Sequence, residues 1–215
     1  MKKVVSVLVT MFLVMSIFSG CTKGKKEETK EDTKKTEHAD NAEGKEENLL
    51  TGKHHVEIQV KDYGTIKVEL DADEAPIAVT NFVNLAKEGF YDGLTFHRIM
   101  SGFMIQGGDP RGDGTGGSDQ TIKGEFSQNG VENNLLHTRG AISMARSRAN
   151  DSASSQFFIV HEDSKHLDGS YSAFGYVTEG MDVVDRICED AEPTDNNGTI
   201  PTEEQPVMTS VKVID

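Results

Sequence analysis

The chain has 215 residues, 35% of them hydrophobic and 27% charged, which suits one globular domain with attachments better than two full domains. Its 22 lysines and arginines face 36 aspartates and glutamates, and the net charge of -14 argues against a nucleic-acid partner, whose phosphates demand a basic face. Cys21 and Cys188 sit in such different contexts that a disulfide framework is not expected.

In chain order, Met1, Lys2 and Lys3 form a basic start, residues 4–18 an apolar run, and Ser19 and Gly20 a small-residue pair before Cys21. This reads as a secretory signal over residues 1–20, too short for a comfortable membrane span. The tail Phe18-Ser19-Gly20-Cys21 resembles the bacterial lipobox, with Phe18 in place of the usual leucine. That resemblance implies lipidation of Cys21 and a protein held by its lipid at the extracytoplasmic face of the cell membrane. The segment that follows, to about residue 50, is Lys, Glu, Thr, Asp and Asn with almost no large apolar side chain, so burial cannot offset the entropy of ordering it. Residues 21–52 are therefore expected to be the lipidated cysteine and a disordered charged linker. As a flexible coil, roughly 30 residues span about 30 Å. Residues 51–215 carry 13 basic and 27 acidic groups, so the folded part should not lie flat on an anionic membrane.

The remainder, residues 53–215, opens with Val56, Ile58 and Val60 alternating with polar residues. A turn at Asp62-Tyr63-Gly64 and a second alternation of Ile66, Val68 and Leu70 complete a hairpin signal. Pro76 suits the first turn of a helix whose Ile77, Phe82, Val83, Leu85 and Ala86 share one side, and Gly89 suits its stop. Short β-type runs follow at 95–100, 103–106, 141–145, 156–160 and 173–177. A second helix is predicted at 181–189 and a closing strand at 207–213. Many short strands with few helices indicate a barrel or sandwich.

Two patterns fail on inspection. Gly112, Gly114 and Gly117 have the spacing of a dinucleotide fingerprint, but Ser118-Asp119-Gln120 follows instead of an amphipathic helix, leaving a surface loop. His161 and His166 stand five apart, so one helix face cannot present both to a zinc ion. No serine has glycines two residues away on both sides, so the commonest hydrolase elbow is missing. No metal or cofactor is expected.

The stretch Phe96-His97-Arg98-Ile99-Met100-Ser101-Gly102-Phe103-Met104-Ile105-Gln106-Gly107-Gly108-Asp109 is similar to the cyclophilin signature. The resemblance continues at Gly114-Thr115-Gly116-Gly117, Ser143-Met144-Ala145, Ser155-Gln156-Phe157-Phe158-Ile159, Leu167-Asp168-Gly169 and Phe174-Gly175, in family order. It implies a mainly β fold, a closed eight-stranded antiparallel barrel capped by two helices. It also implies peptidyl-prolyl cis/trans isomerase activity on proline-containing polypeptides, here exported ones.

That reaction needs neither nucleophile nor metal. The prolyl bond turns over a barrier of about 18–20 kcal/mol because amide resonance must be broken. As it twists, the proline nitrogen regains a lone pair, and a donor fixed near it favours the twisted state selectively. Arginine suits this, with permanent charge and a planar fork of donors. The resemblance gives Arg98 the catalytic position and Gln106 the role of bonding substrate backbone and orienting the arginine. It assigns Phe103, Met104, Phe158 and Leu167 to an apolar pocket for the proline ring, and Ala145 to the peptide groove. His97 is expected to pack and to satisfy barrel backbone groups. His166 stands where many members have tryptophan and Tyr171 where many have histidine, so both are expected to line the substrate site and cyclosporin binding is expected to be weak. A non-catalytic peptide-binding lipoprotein using the same groove is the rival reading, against which Arg98, Phe103, Gln106 and Phe158 are all present.

Overall fold

A computed structural model of the protein describes residues 48–215; the signal, Cys21 and all but the end of the linker lie outside the described residues. Leu50, in the segment read as linker, donates its N–H to Thr80 Oγ1 at 2.9 Å and packs on the core. The first hairpin joins β1 (Lys53–Val60) to β2 (Gly64–Asp71) in a register that opposes Ile58 to Ile66 and Val56 to Val68. Helix α1 (Pro76–Lys87) follows, then β3 (Phe96–Met100), β4 (Met104–Gly107), β5 (Ala141–Met144), β6 (Phe157–Val160) and β7 (Ala173–Glu179). Helix α2 (Met181–Asp190) and β8 (Met208–Val213) complete the fold. Each strand and helix predicted from periodicity is present, with ends shifted by a residue or two.

The eight strands form one antiparallel sheet in the order β3-β4-β6-β5-β7-β2-β1-β8. The expected closed barrel is therefore corrected to an open half-barrel: no ladder joins β3 to β8. The segment ahead of β8 takes the edge of β3 instead: Ile99 N–H donates to Gly198 O at 2.8 Å and Ile200 N–H to His97 O at 3.1 Å. An isolated bridge between Thr95 and Val207 spans the seam, with Phe96 N–H donating to Pro206 O at 2.9 Å and Met208 N–H to Leu94 O at 2.8 Å.

One face of the sheet holds the main core. Phe82 on α1 stacks on Tyr91 with centroids 4.9 Å apart and meets the edge of Phe157 at 5.3 Å. Strands β5 and β6 are buried along their whole length because both their faces are covered, which is why their sequences run apolar without alternation. Alternate residues such as Phe157 and Ile159 enter the main core, while Phe158 and Val160 enter a second cluster on the opposite face with Met104, Ala141 and Leu167.

Helix α1 begins without a side-chain cap of its own at Ala75. Glu125, itself buried, reaches in from a distant loop and accepts the N–H groups of Ile77 and Ala78, each at 2.8 Å. Burial raises the Glu125 pKa, opposed by those two donors. A carboxylate here satisfies two otherwise orphaned helix N–H groups and complements the positive end of the helix. Glu125→Ala should therefore lower unfolding stability by about 2 kcal/mol, and Glu125→Gln by less, read as a reduced urea midpoint at unchanged slope.

Candidate active site

The β3–β4 hairpin sets the geometry. Phe96 opposes Gly107, yet Arg98 opposes Gln106, so His97 is an extra residue in β3, a β-bulge. It turns Phe96 into the core and Arg98 to the opposite face, beside Gln106. The glycines at the end of β4 permit close packing: a Cβ on Gly107 would stand 2.6 Å from Thr95 O, and one on Gly108, at φ +81°, 2.6 Å from Ser155 O.

The Arg98 guanidinium is half-buried and fixed from three sides. Nε donates to Asn197 O at 2.7 Å, Nη1 to Gln106 Oε1 at 3.0 Å, and Nη2 meets Met100 Sδ at 3.1 Å. Gln106 Nε2 in turn donates to Gln156 Oε1 at 2.8 Å, and Gln156 Nε2 to the carbonyls of Gly116 at 2.8 Å and Gly114 at 3.1 Å. The amides thus form a relay whose polarity is set at the glycine loop and ends on the guanidinium. Burial lowers the Arg98 pKa, opposed by Tyr171 and Asp195, but arginine stays protonated at any physiological pH. Thioethers are weak acceptors, so the guanidinium keeps donor capacity for a stronger one.

Beside it, Phe158, Met104 and Leu167 form a buried apolar cluster on the same face, with Phe103 and Tyr171 half-buried around them. The Phe103 ring lies 6.0 Å from Arg98 Cζ and 5.5 Å from the exposed His166 ring; Tyr171 meets the edge of Phe158 at 5.9 Å. Ala145 donates its N–H to Gln156 O at 2.9 Å and lines a polar trough of about 350 Å³ with Gln106, Gly116, Arg146 and Gln156. All nine residues expected at the site therefore fall on one face around Arg98 or on the trough next to it.

His97 is buried as expected, but its expected polar role is corrected: neither ring nitrogen has a hydrogen-bond partner, and burial lowers its pKa, against the pull of Asp109. The bulge leaves His97 without a cross-strand partner of its own. His161 and His166, the rejected zinc pair, have separate partners: His161 accepts from Gly102 N–H and faces Asp185, while His166 packs on Phe103. Among the described residues, no group of three or more His, Cys, Asp or Glu could hold a metal ion. Sequence reasoning missed Asn197, which acts through a backbone carbonyl that any residue could supply, and the relay role of Gln156, although that residue lies inside a quoted motif block.

A fixed cationic donor thus stands beside an apolar cluster on one face of an antiparallel half-barrel. The model of the family described as cyclophilin type peptidyl-prolyl cis-trans isomerase/CLD matches residues 55–213. A peptidyl-prolyl cis-trans isomerase of Helicobacter pylori is 50% identical over 126 residues, 58% of this chain and 74% of that protein. Peptidyl-prolyl cis-trans isomerase B of Bacillus subtilis is 50% identical over 123 residues, 57% of this chain and 82% of that one. The crystal structure of a Cryptosporidium parvum cyclophilin type isomerase in the presence of the dipeptide Ala-Pro superposes with a TM-score of 0.66 at 30% identity, covering 75% of this chain and 99% of that one. The chain belongs to the cyclophilin-type peptidyl-prolyl cis-trans isomerase family. It is an enzyme of that activity.

Gln156→Ala would leave Gln106 free to rotate away from Arg98. With one neutral hydrogen bond worth about 1 kcal/mol, catalytic efficiency should fall by roughly fivefold while the unfolding midpoint stays near parental, as a protease-coupled peptide assay would read.

Proposed function

We propose that this enzyme isomerises prolyl bonds of exported polypeptides at the outer face of a bacterial cytoplasmic membrane, with Arg98 as the donor to the twisted bond. The observation that carries the assignment is the guanidinium fixed by Gln106 and Asn197 beside the apolar cluster. A proline ring seated on Phe158, Met104 and Leu167 against Phe103 holds one side of the bond while the other rotates. Arg98 then meets the nitrogen as its lone pair appears, so the donor is already oriented at the moment it is needed. Gln106, which lines the trough, is placed to bond substrate backbone as well as Arg98. The solved relative with Ala-Pro supports proline-containing peptides as the ligand class. His166 supplies less apolar area than an indole and a differently placed donor, so cyclosporin binding is weak in this reading.

Arg98→Ala tests the role directly. Loss of one preorganised donor should cut turnover by about 10²-fold or more with peptide affinity within about threefold, measured by exchange NMR on a short Ala-Pro peptide. Near-parental turnover in the folded variant would remove Arg98 from catalysis.

The location rests on the signal, the small residues before Cys21 and the charged linker. Two acyl chains give stable attachment where a single one is marginal, and the acidic domain adds no attraction to an anionic surface. Cys21→Ser should leave the protein unprocessed or released from membranes, whereas residues 51–215 alone should be soluble and active. Membrane fractionation and the intact mass of the mature chain read both results; a mature N-terminus elsewhere, or no lipid mass, would overturn the anchor.

A further inference from the structure

Beside the apolar cluster, three side chains line up that the reaction as derived does not use. His137 Nδ1 lies 2.9 Å from Asp168 Oδ1, and its Nε2 lies 3.0 Å from Ser143 Oγ. A carboxylate can only accept, so Nδ1 carries a proton, and in the neutral ring Nε2 accepts from the Ser143 hydroxyl. Burial lowers the His137 pKa, against the pull of Asp168, in keeping with that form. The order Ser, His, Asp imitates a hydrolase, but Ser143 is 0% exposed, so no substrate reaches its hydroxyl.

Residue 137 instead holds both ends of one segment. Its carbonyl accepts the N–H of Ser164 at 2.7 Å, and its own N–H donates to Asp168 Oδ1 at 2.8 Å, alongside the ring bond to the same oxygen. Between those points runs the short 3-10 turn Lys165–Leu167, which carries His166 and Leu167. The imidazole itself lies nearly parallel to Phe158, with centroids 5.9 Å apart, and edge-on to Tyr171 at 6.5 Å. Ser143 fixes the far side of the ring from β5.

We propose that His137 is a positioning residue of the proline pocket, clamping the Leu167 turn at both ends and backing Phe158, so that it governs how tightly prolyl peptides are held and not how fast the bound bond turns. This rests on the reading of the apolar cluster as the proline pocket. The clamp acts through Asp168 and Phe158, none of whose contacts to His137 involve Arg98 or its amide relay.

The test compares His137→Leu, whose side chain has neither donor nor acceptor and which keeps only the backbone bonds of residue 137, with His137→Gln, whose amide can donate and accept without the ring, and with Asp168→Ala, which opens the clamp at its half-exposed end. For a short Ala-Pro peptide, His137→Leu and Asp168→Ala should weaken affinity by about tenfold with the bound-state interconversion rate within about threefold of parental, and His137→Gln should restore most of the affinity. Parental affinity in folded His137→Leu or Asp168→Ala, or a fall in the bound-state rate at unchanged affinity, would overturn the proposal. If the leucine variant does not fold, Asp168→Ala decides. Arg98→Ala run in parallel separates the two claims: an unaffected rate there removes the donor assignment, whereas the clamp is judged on affinity alone.

Discussion

A strand sends successive side chains to opposite faces, so residues two apart normally share one. This site requires Phe96 and Arg98, two apart on β3, to leave on opposite sides. The bulge at His97 meets that requirement, and nearly everything at the site follows from it. Without it, either a guanidinium would enter a core packed with aromatic rings or Phe96 would leave that core, giving up about 2 kcal/mol of burial. The bulge also brings Arg98 opposite Gln106, which makes the relay from Gln156 possible. The same bulge leaves the His97 ring buried beside the site.

The sheet serves two faces at once. One side packs Phe82, Tyr91 and Phe157 into the core that stabilises the domain, and the other gathers Met104, Phe158 and Leu167 into a second apolar cluster edged by the half-buried Phe103 and Tyr171. A pocket wall packed from behind by a rigid sheet is held at fixed shape before any ligand arrives. That preorganisation suits a reaction in which only the donor's position, and no covalent step, lowers the barrier.

Much of this was legible in the amino-acid sequence, for reasons that differ by element. The β1–β2 hairpin was readable because one face is solvated and the alternation survives; Pro76 and Gly89 marked α1 because their backbone constraints are local. Strands β5 and β6 lack alternation, and their assignment as strands rested on short apolar runs and on the motif resemblance. The site residues were found through that resemblance: nothing in the spacing of Arg98 and Phe158, sixty positions apart, states that they meet. The open seam could not be read because it depends on how the segment ahead of β8 settles against β3. Glu125 as a cap for α1 was equally hidden, since the pair lies nearly fifty residues apart. Carbonyl partners such as Asn197 O carry no side-chain signature at all.

The open seam also bears on how the sheet meets other chains. A half-barrel has two edge strands, and exposed edges invite any extended polypeptide to add as another strand. Here β3 is covered by Gly198 and Pro206, whose carbonyls take the N–H groups of Ile99 and Phe96, while Gly93, Leu94 and the Asp92 carboxylate occupy the outer side of β8. Those backbone groups of β3 and β8 are therefore already engaged and not open to an added strand.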